Sequence, residues 1–146
     1  MYPSIMISYN ISPDTVVSPD EEPTEFYEAP ETQYRFRKHP DGFFKLILTN
    51  LIERRRAVRE QMAHTDKGSR DFTILDVHQN AIKILTNAFY GYTGWHAAKW
   101  YRKECAEATT AWGRTIIQDA AERAEKHGLE VIYGDTDSLF VKLKKA

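Results

Sequence analysis

The chain has 146 residues, of which 42% are apolar and 12% aromatic. That suffices for one modest domain with its own core and excludes a disordered chain. A net charge of −1, from 20 Lys and Arg against 21 Asp and Glu, excludes the uniformly basic surface of many nucleic-acid binders.

The charge is unevenly placed. Residues 1–34 hold seven acids and no Lys or Arg, whereas residues 35–70 hold ten bases and four acids. A surplus this local suits a segment that meets an anion. No stretch of ~18 apolar residues occurs, so no membrane span is expected. Met1-Tyr2-Pro3-Ser4 lacks the basic lead of a secretory signal. The single cysteine, Cys105, has no partner for an internal disulfide and reads as a plain buried or half-buried thiol.

In chain order, residues 4–8 are apolar and read as a short strand or helical turn. Residues 12–33 hold four of the six prolines and read as an irregular surface excursion. Pro40-Asp41-Gly42 turns into a helix whose apolar positions, Phe43, Leu46, Ile47, Leu51 and Val58, extend to Met62. After the turn Asp66-Lys67-Gly68-Ser69, a second helix carries Ile74, Leu75, Ala81, Ile82, Leu85 and Phe89 on its apolar side, giving an antiparallel helical hairpin. Gly91 and Gly94 are expected to break it. A third helix is expected from about residue 95 to 126, stopped by His127-Gly128. Residues 129–133 and 138–144 alternate as strands about Gly134-Asp135-Thr136-Asp137, predicting a β-hairpin with two carboxylates at its tip. The fold class is α+β.

Three constellations bear on chemistry. Asp135 and Asp137 flank Thr136 between two apolar strands; hard divalent cations take carboxylates held on such a frame, although Asp, Thr and Gly equally make an ordinary solvated turn. In the helical hairpin, folding back at about residue 67 sets Arg55 opposite roughly residue 80, one turn from Lys83 at ~1.5 Å per residue. Arg59 lies one turn along from Arg55. An Arg fork beside a Lys point charge suits a triphosphate; a solvated basic face is the plainer reading of the run Arg54-Arg55-Arg56. Of the aromatics, Tyr2, Phe89, Tyr90 and Tyr92 are candidates to stack on sugars and bases, and Trp95, Trp100 and Trp112 are expected in the core. The five histidines show no metal-ligand spacing.

Residues 2–5 (Tyr-Pro-Ser-Ile), 83–91 (Lys-Ile-Leu-Thr-Asn-Ala-Phe-Tyr-Gly) and 133–138 (Tyr-Gly-Asp-Thr-Asp-Ser) resemble, in order and spacing, three motifs of the archaeal and eukaryotic type of family B DNA polymerase. The helices between them resemble the same family, so the likeness covers essentially the whole chain. It implies a palm and fingers fragment: palm over 1–40 and 93–146 with the β-hairpin in the second part, and a helical-hairpin fingers over 41–92. It implies template-directed deoxynucleotidyl transfer to a primer 3′-hydroxyl, with two Mg²⁺ ions in the complete enzyme. Asp135 and Asp137 would ligate metal. Tyr2 would lie under the deoxyribose and exclude a 2′-hydroxyl. Arg55, Lys83 and Asn87 would hold the triphosphate, Lys83 also acting in catalysis, and Tyr90 and Gly91 would pack on the nascent base pair.

The implied partners are primer–template DNA, dNTPs and the remaining polymerase polypeptide, with no membrane, in the cytoplasm or another intracellular compartment. Ala88 stands where the family usually has Ser. The family's first motif carries an Asp five residues before its tyrosine, and here Tyr2 is preceded only by Met1. One metal carboxylate, the exonuclease region, the last palm strands and the thumb are therefore expected outside this chain, which by itself would be inactive. The alternative is a non-catalytic nucleotide- or DNA-binding subunit of a split polymerase.

Overall fold

The structure, a computed structural model, describes residues 1–22 and 24–143. Its elements in chain order are α1 (Tyr2–Ser8), β1 (Phe26–Glu28), β2 (Arg35–Arg37), α2 (Phe43–Ala63), α3 (Arg70–Gly94), α4 (Lys103–Lys126), β3 (Leu129–Asp135) and β4 (Ser138–Leu143). Residues 4–8 thus take the helical of the two expected forms. Pro3 in the first turn of α1 presets φ where no N–H is needed, and Ile5 and Met6 are buried. The stretch 12–33, expected to be an irregular surface excursion, instead buries Ser12, Thr15, Val17 and Ala29 and contains β1, which pairs antiparallel with β2 just beyond it, Tyr27 opposite Phe36.

The core gathers Ile5, Met6, Ile11, Ala29, Phe36, Phe44, Leu48, Cys105, Ala108 and Trp112. It lies where α1, the start of α2, the first half of α4 and the β1–β2 ribbon meet. Trp112 stacks on Tyr9 with ring centroids 4.1 Å apart and planes 9° from parallel. Burial pushes the Cys105 thiol well above its ordinary range, so it is an inert packing group.

One buried residue ties the root of α2 to this core. Asn10, at φ 50°, adopts the left-handed conformation that its short amide side chain tolerates. Its Nδ2 donates to the carbonyls of Arg37 at 2.8 Å and Pro40 at 3.0 Å, and its Oδ1 accepts from the Gly42 N–H at 2.8 Å. Ser12 Oγ accepts from the Phe44 N–H at 3.2 Å and Asp14 Oδ2 from the Phe43 N–H at 3.3 Å. Three N–H groups at the start of α2 are thereby satisfied from one loop. A methyl group at Gly42 would meet Ser12 Cβ at 2.5 Å, so glycine is required by close approach.

Three further expectations need correction. In the first two turns of α2 the apolar face sits one residue away from the expected one, with Phe44 and Leu48 buried and Leu46 and Ile47 exposed, while Val58 is buried as expected. The runs Phe43-Phe44 and Leu46-Ile47-Leu48 offer an apolar residue at neighbouring helical phases, so periodicity could not choose. On α3, Ile74 and Leu85 are likewise exposed, and Ile82 is the buried member of that set. Next, α3 continues through Gly91 to Gly94, because a glycine costs a helix only ~1 kcal/mol and neither residue enters the left-handed region that ends one. Finally, α4 begins at Lys103 and not near residue 95. Residues 95–102 form a connection in which Trp95 and Trp100 are 55% and 44% exposed, packing edgewise on Tyr92 instead of entering the core. The end of α4 is as expected, with Gly128 at φ 80° just past it.

β3 and β4 form an antiparallel hairpin with Asp135 opposite Ser138, leaving Thr136 and Asp137 as a two-residue turn with Thr136 at φ 50°. Lys144, which the strand reading included, lies outside the described residues. Ile132, Tyr133, Phe140, Val141 and Leu143 are exposed on this hairpin. Among the described residues no helix is long and apolar enough to cross a membrane.

Candidate active site

The antiparallel fold-back of α2 and α3 brings Arg55 Nε to 3.2 Å from Gln79 Oε1, within one residue of the expected alignment. Beside that contact lies an open cleft of about 520 Å³ lined by Ile52, Arg55, Arg56, Arg59, Glu60, Lys83, Thr86 and Asn87. On α2 the lining positions run i, i+3, i+4, i+7, i+8, and on α3 i, i+3, i+4, so each helix contributes one face. Four cations meet a single carboxylate, a formal charge of +3. Among the described residues none of the four forms an ion pair. Unpaired guanidinium forks beside an ammonium form an acceptor for a multiply charged anion.

The cleft thus unites Arg55, Arg59, Lys83 and Asn87. It also includes Arg56, Glu60, Ile52 and Thr86, which the sequence reading did not assign. The i+3 and i+4 spacing from Arg55 and Lys83 was the available signal. Arg54 does not line it.

Along α3, the same face continues from Lys83 and Asn87 to Tyr90 and Gly91, at i+4, i+7 and i+8. Lys83 and Tyr90 are therefore separated by ~10 Å along the axis. The Tyr90 ring lies against Tyr2, centroids 4.3 Å apart and planes 34° apart. Burial raises the Tyr90 phenol above its ordinary range, with Tyr2 a second cause. A methyl at Gly91 would meet open space, so this turn of α3 presents bare backbone. Two other aromatics considered for stacking serve packing. Phe89 meets Phe44 edge-on at 5.2 Å, and Tyr92 packs with Trp95 and Trp100 while its hydroxyl accepts from the Lys99 N–H at 3.1 Å.

The hairpin tip completes the surface. The Met1 nitrogen lies 3.4 Å from Asp137 Oδ2, so Asp137 stands beside the residue next to Tyr2. Asp135 Oδ1 accepts from the Thr136 hydroxyl at 3.0 Å. Both Asp residues are exposed. Their hard oxygens on a short turn fit a hard divalent cation, and among the described residues no third Asp, Glu, His or Cys converges on them. Asn87 of the cleft lies one helical turn before Tyr90 on α3, the Tyr90 ring lies against Tyr2, and Met1 beside Tyr2 approaches Asp137.

A family model described as DNA polymerase family B matches residues 1–146. The chain belongs to DNA polymerase family B. "DNA polymerase 2" of Aeropyrum pernix is 56% identical over 144 residues, covering 97% of this chain and 18% of that protein. "DNA polymerase" of Archaeoglobus fulgidus is 54% identical over 141 residues, covering 97% of the chain and 18% of that protein. The family B DNA polymerase from the hyperthermophilic archaeon Pyrobaculum calidifontis matches in structure with a TM-score of 0.85 at 51% identity, over 99% of this chain and 19% of that one. This family B chain thus spans 18% of the length of the two curated relatives.

Proposed function

We propose that these residues form the nucleotide-binding and part of the metal-binding surface of a DNA polymerase that transfers a deoxynucleotidyl group to a primer 3′-hydroxyl. Residues 41–92 would be fingers, and 1–40 and 93–146 palm; α3 carries the fingers helix two residues past that boundary. The observation that carries this reading is the cleft of unpaired cations sharing one face of α3 with Tyr90.

In this reading Arg55, Arg56, Arg59 and Lys83 bind the triphosphate, Asn87 orients it, and Tyr2 and Tyr90 receive sugar and base. Asp135 and Asp137 hold divalent metal, Mg²⁺ in the simplest case and two ions in the complete enzyme. When bound, the metal supplies Lewis-acid activation of the primer hydroxyl and offsets charge on the phosphates. Lys83 Nζ stabilises negative charge on the leaving pyrophosphate and donates a proton to it. Primer extension itself needs the remaining polymerase polypeptide, primer–template DNA and dNTPs.

Lys83→Ala in a complete family B polymerase carrying this segment is the test. Loss of one preorganised charge-stabilising donor should slow single-turnover incorporation by roughly 10²–10³. A loss below about threefold would remove Lys83 from the mechanism and leave the cleft a solvated basic face.

A further inference from the structure

We propose that Gly113 is a positioning residue that sets the depth of the Tyr2 ring, and through it the fit of the nucleotide sugar. This rests on the reading of Tyr2 as the ring beneath the sugar.

Gly113 sits inside α4 in a run of buried residues, Ala108, Thr109, Ala111 and Trp112. A glycine there costs the helix about 1 kcal/mol relative to alanine. The helix gains nothing locally in return, since α4 is regular from Lys103 to Lys126. What occupies the missing methyl is the neighbouring helix α1. A Cβ on Gly113 would lie 3.2 Å from Met1 Cε, 3.3 Å from Tyr2 Cε1 and 3.7 Å from Ile5 Cδ1. The Ile5 contact is ordinary. Met1 Cε is the end of a flexible side chain and can swing away. The Tyr2 ring is different, because it is also in contact with Tyr90 at 4.3 Å. It is rigid, with two torsions, and it must give by a few tenths of an ångström as a unit.

The other helical glycines on the site side show the contrast. A methyl at Gly91 meets nothing within 4 Å, and one at Gly94 would reach Ala106 Cβ at 3.4 Å, away from the ring pair. Gly113 alone among these three borders Tyr2. Its bare backbone is the floor on which the ring rests, and Tyr90 of α3 is the ring's neighbour from the fingers. A ring lifted off that floor moves toward the sugar space, so the penalty falls on nucleotide binding. The groups that carry out the transfer, Lys83 and the Asp135–Asp137 turn, are untouched.

The experiment compares Gly113→Ala, Tyr2→Ala and the double variant in a complete polymerase carrying this segment. The readouts are KM and kcat for a dNTP, the dNTP-to-rNTP ratio, and melting temperature. Overpacking against a rigid ring should raise the dNTP KM about fivefold or more for Gly113→Ala, with kcat within about twofold. In the Tyr2→Ala background there is no ring to lift, so the same change should have no further effect. An unchanged KM for Gly113→Ala, or an equal rise in both backgrounds, overturns the proposal. If Gly113→Ala does not fold, recovery of folding in the double variant supports it. Failure of both to fold places the constraint on Met1 or Ile5 and overturns it. Tyr2→Ala with an unchanged dNTP-to-rNTP ratio would sink the sugar-facing reading of Tyr2; non-additivity in melting temperature would still report the Gly113–Tyr2 contact, so the two failures are distinguishable.

Discussion

The two ends of α2 are built in opposite ways. At its root, Phe44 and Leu48 are fully buried, and the Asn10, Ser12 and Asp14 side chains cap the first N–H groups. Towards its far end the buried apolar residues between α2 and α3 reduce to Val58 and Ile82, with Thr86 beside them. Ile52, Ile74, Val77, Ile84 and Leu85 stay exposed. The root is over-determined and the arm is sparsely packed, so local opening is expected to cost less free energy in the arm than at the root. The cationic cleft lies on the arm, and the Tyr2–Tyr90 pair packs against the core at the root.

That contrast is open to attack at both ends. The largest effect is expected at the root. Trp112→Ala removes the ring stacked on Tyr9 and in contact with Phe36, and it should cost about 3–5 kcal/mol of unfolding free energy. Denaturant unfolding of a polymerase carrying this segment, followed by a probe within it, reads that loss. A cost below about 1 kcal/mol would mean that the root is not the stabilising centre.

A smaller effect is expected in the arm. Ile82→Ala deletes one of its few buried apolar side chains. The loss should lie at the low end of the range for such truncations, about 2 kcal/mol, because the open cleft beside it lets the site relax. Amide exchange along α3 should rise near residue 82 and stay slow in the first half of α4. Equal change in both helices would show that root and arm unfold as one unit and would erase the distinction.

How much of this was legible beforehand differs in the same way. The helical hairpin, the β-hairpin and the placing of Arg55 and Lys83 on one cleft followed from periodicity and fold-back arithmetic, since these are local or nearly local relations. The motifs placed Tyr2, Asn87, Tyr90 and Asp137 in one family pattern; of these the structure sets Tyr2 against Tyr90 and Asp137 beside Met1. The root was not legible. Nothing in the period of residues 43–48 chooses Phe44 over Phe43; the start of α2 is held by Asn10, Ser12 and Asp14, some thirty positions earlier in the chain, and by the core around Phe44. Likewise, Trp95 and Trp100 were expected in the core on size and apolarity, but they fall in the 95–102 connection. The Gly113 contact with Tyr2 depends on how α1 lies across α4, which no pattern in either helix records.

The smallest expected effect is also the sharpest test of the arm. Arg54, Arg55 and Arg56 are consecutive, and a solvated basic face would treat them alike. In the structure Arg55 and Arg56 line the cleft and Arg54 does not. Successive residues on a helix are about 100° apart, so one wall holds at most two of the three. Arg56→Ala in a complete polymerase should therefore weaken dNTP binding about tenfold, as expected for one lost hydrogen bond from a charged group. Its effect on stability should be small, because Arg56 is exposed and makes no ion pair among the described residues. Arg54→Ala should leave dNTP binding within about threefold and stability within about 0.5 kcal/mol. Titrating dNTP in single-turnover extension, at two salt concentrations, separates a local contact from general attraction, since a diffuse field weakens with salt for both variants alike. Equal losses for Arg54→Ala and Arg56→Ala, both relieved by salt, would show that the run acts only through its summed charge. The cleft would then have no individual role in holding a triphosphate.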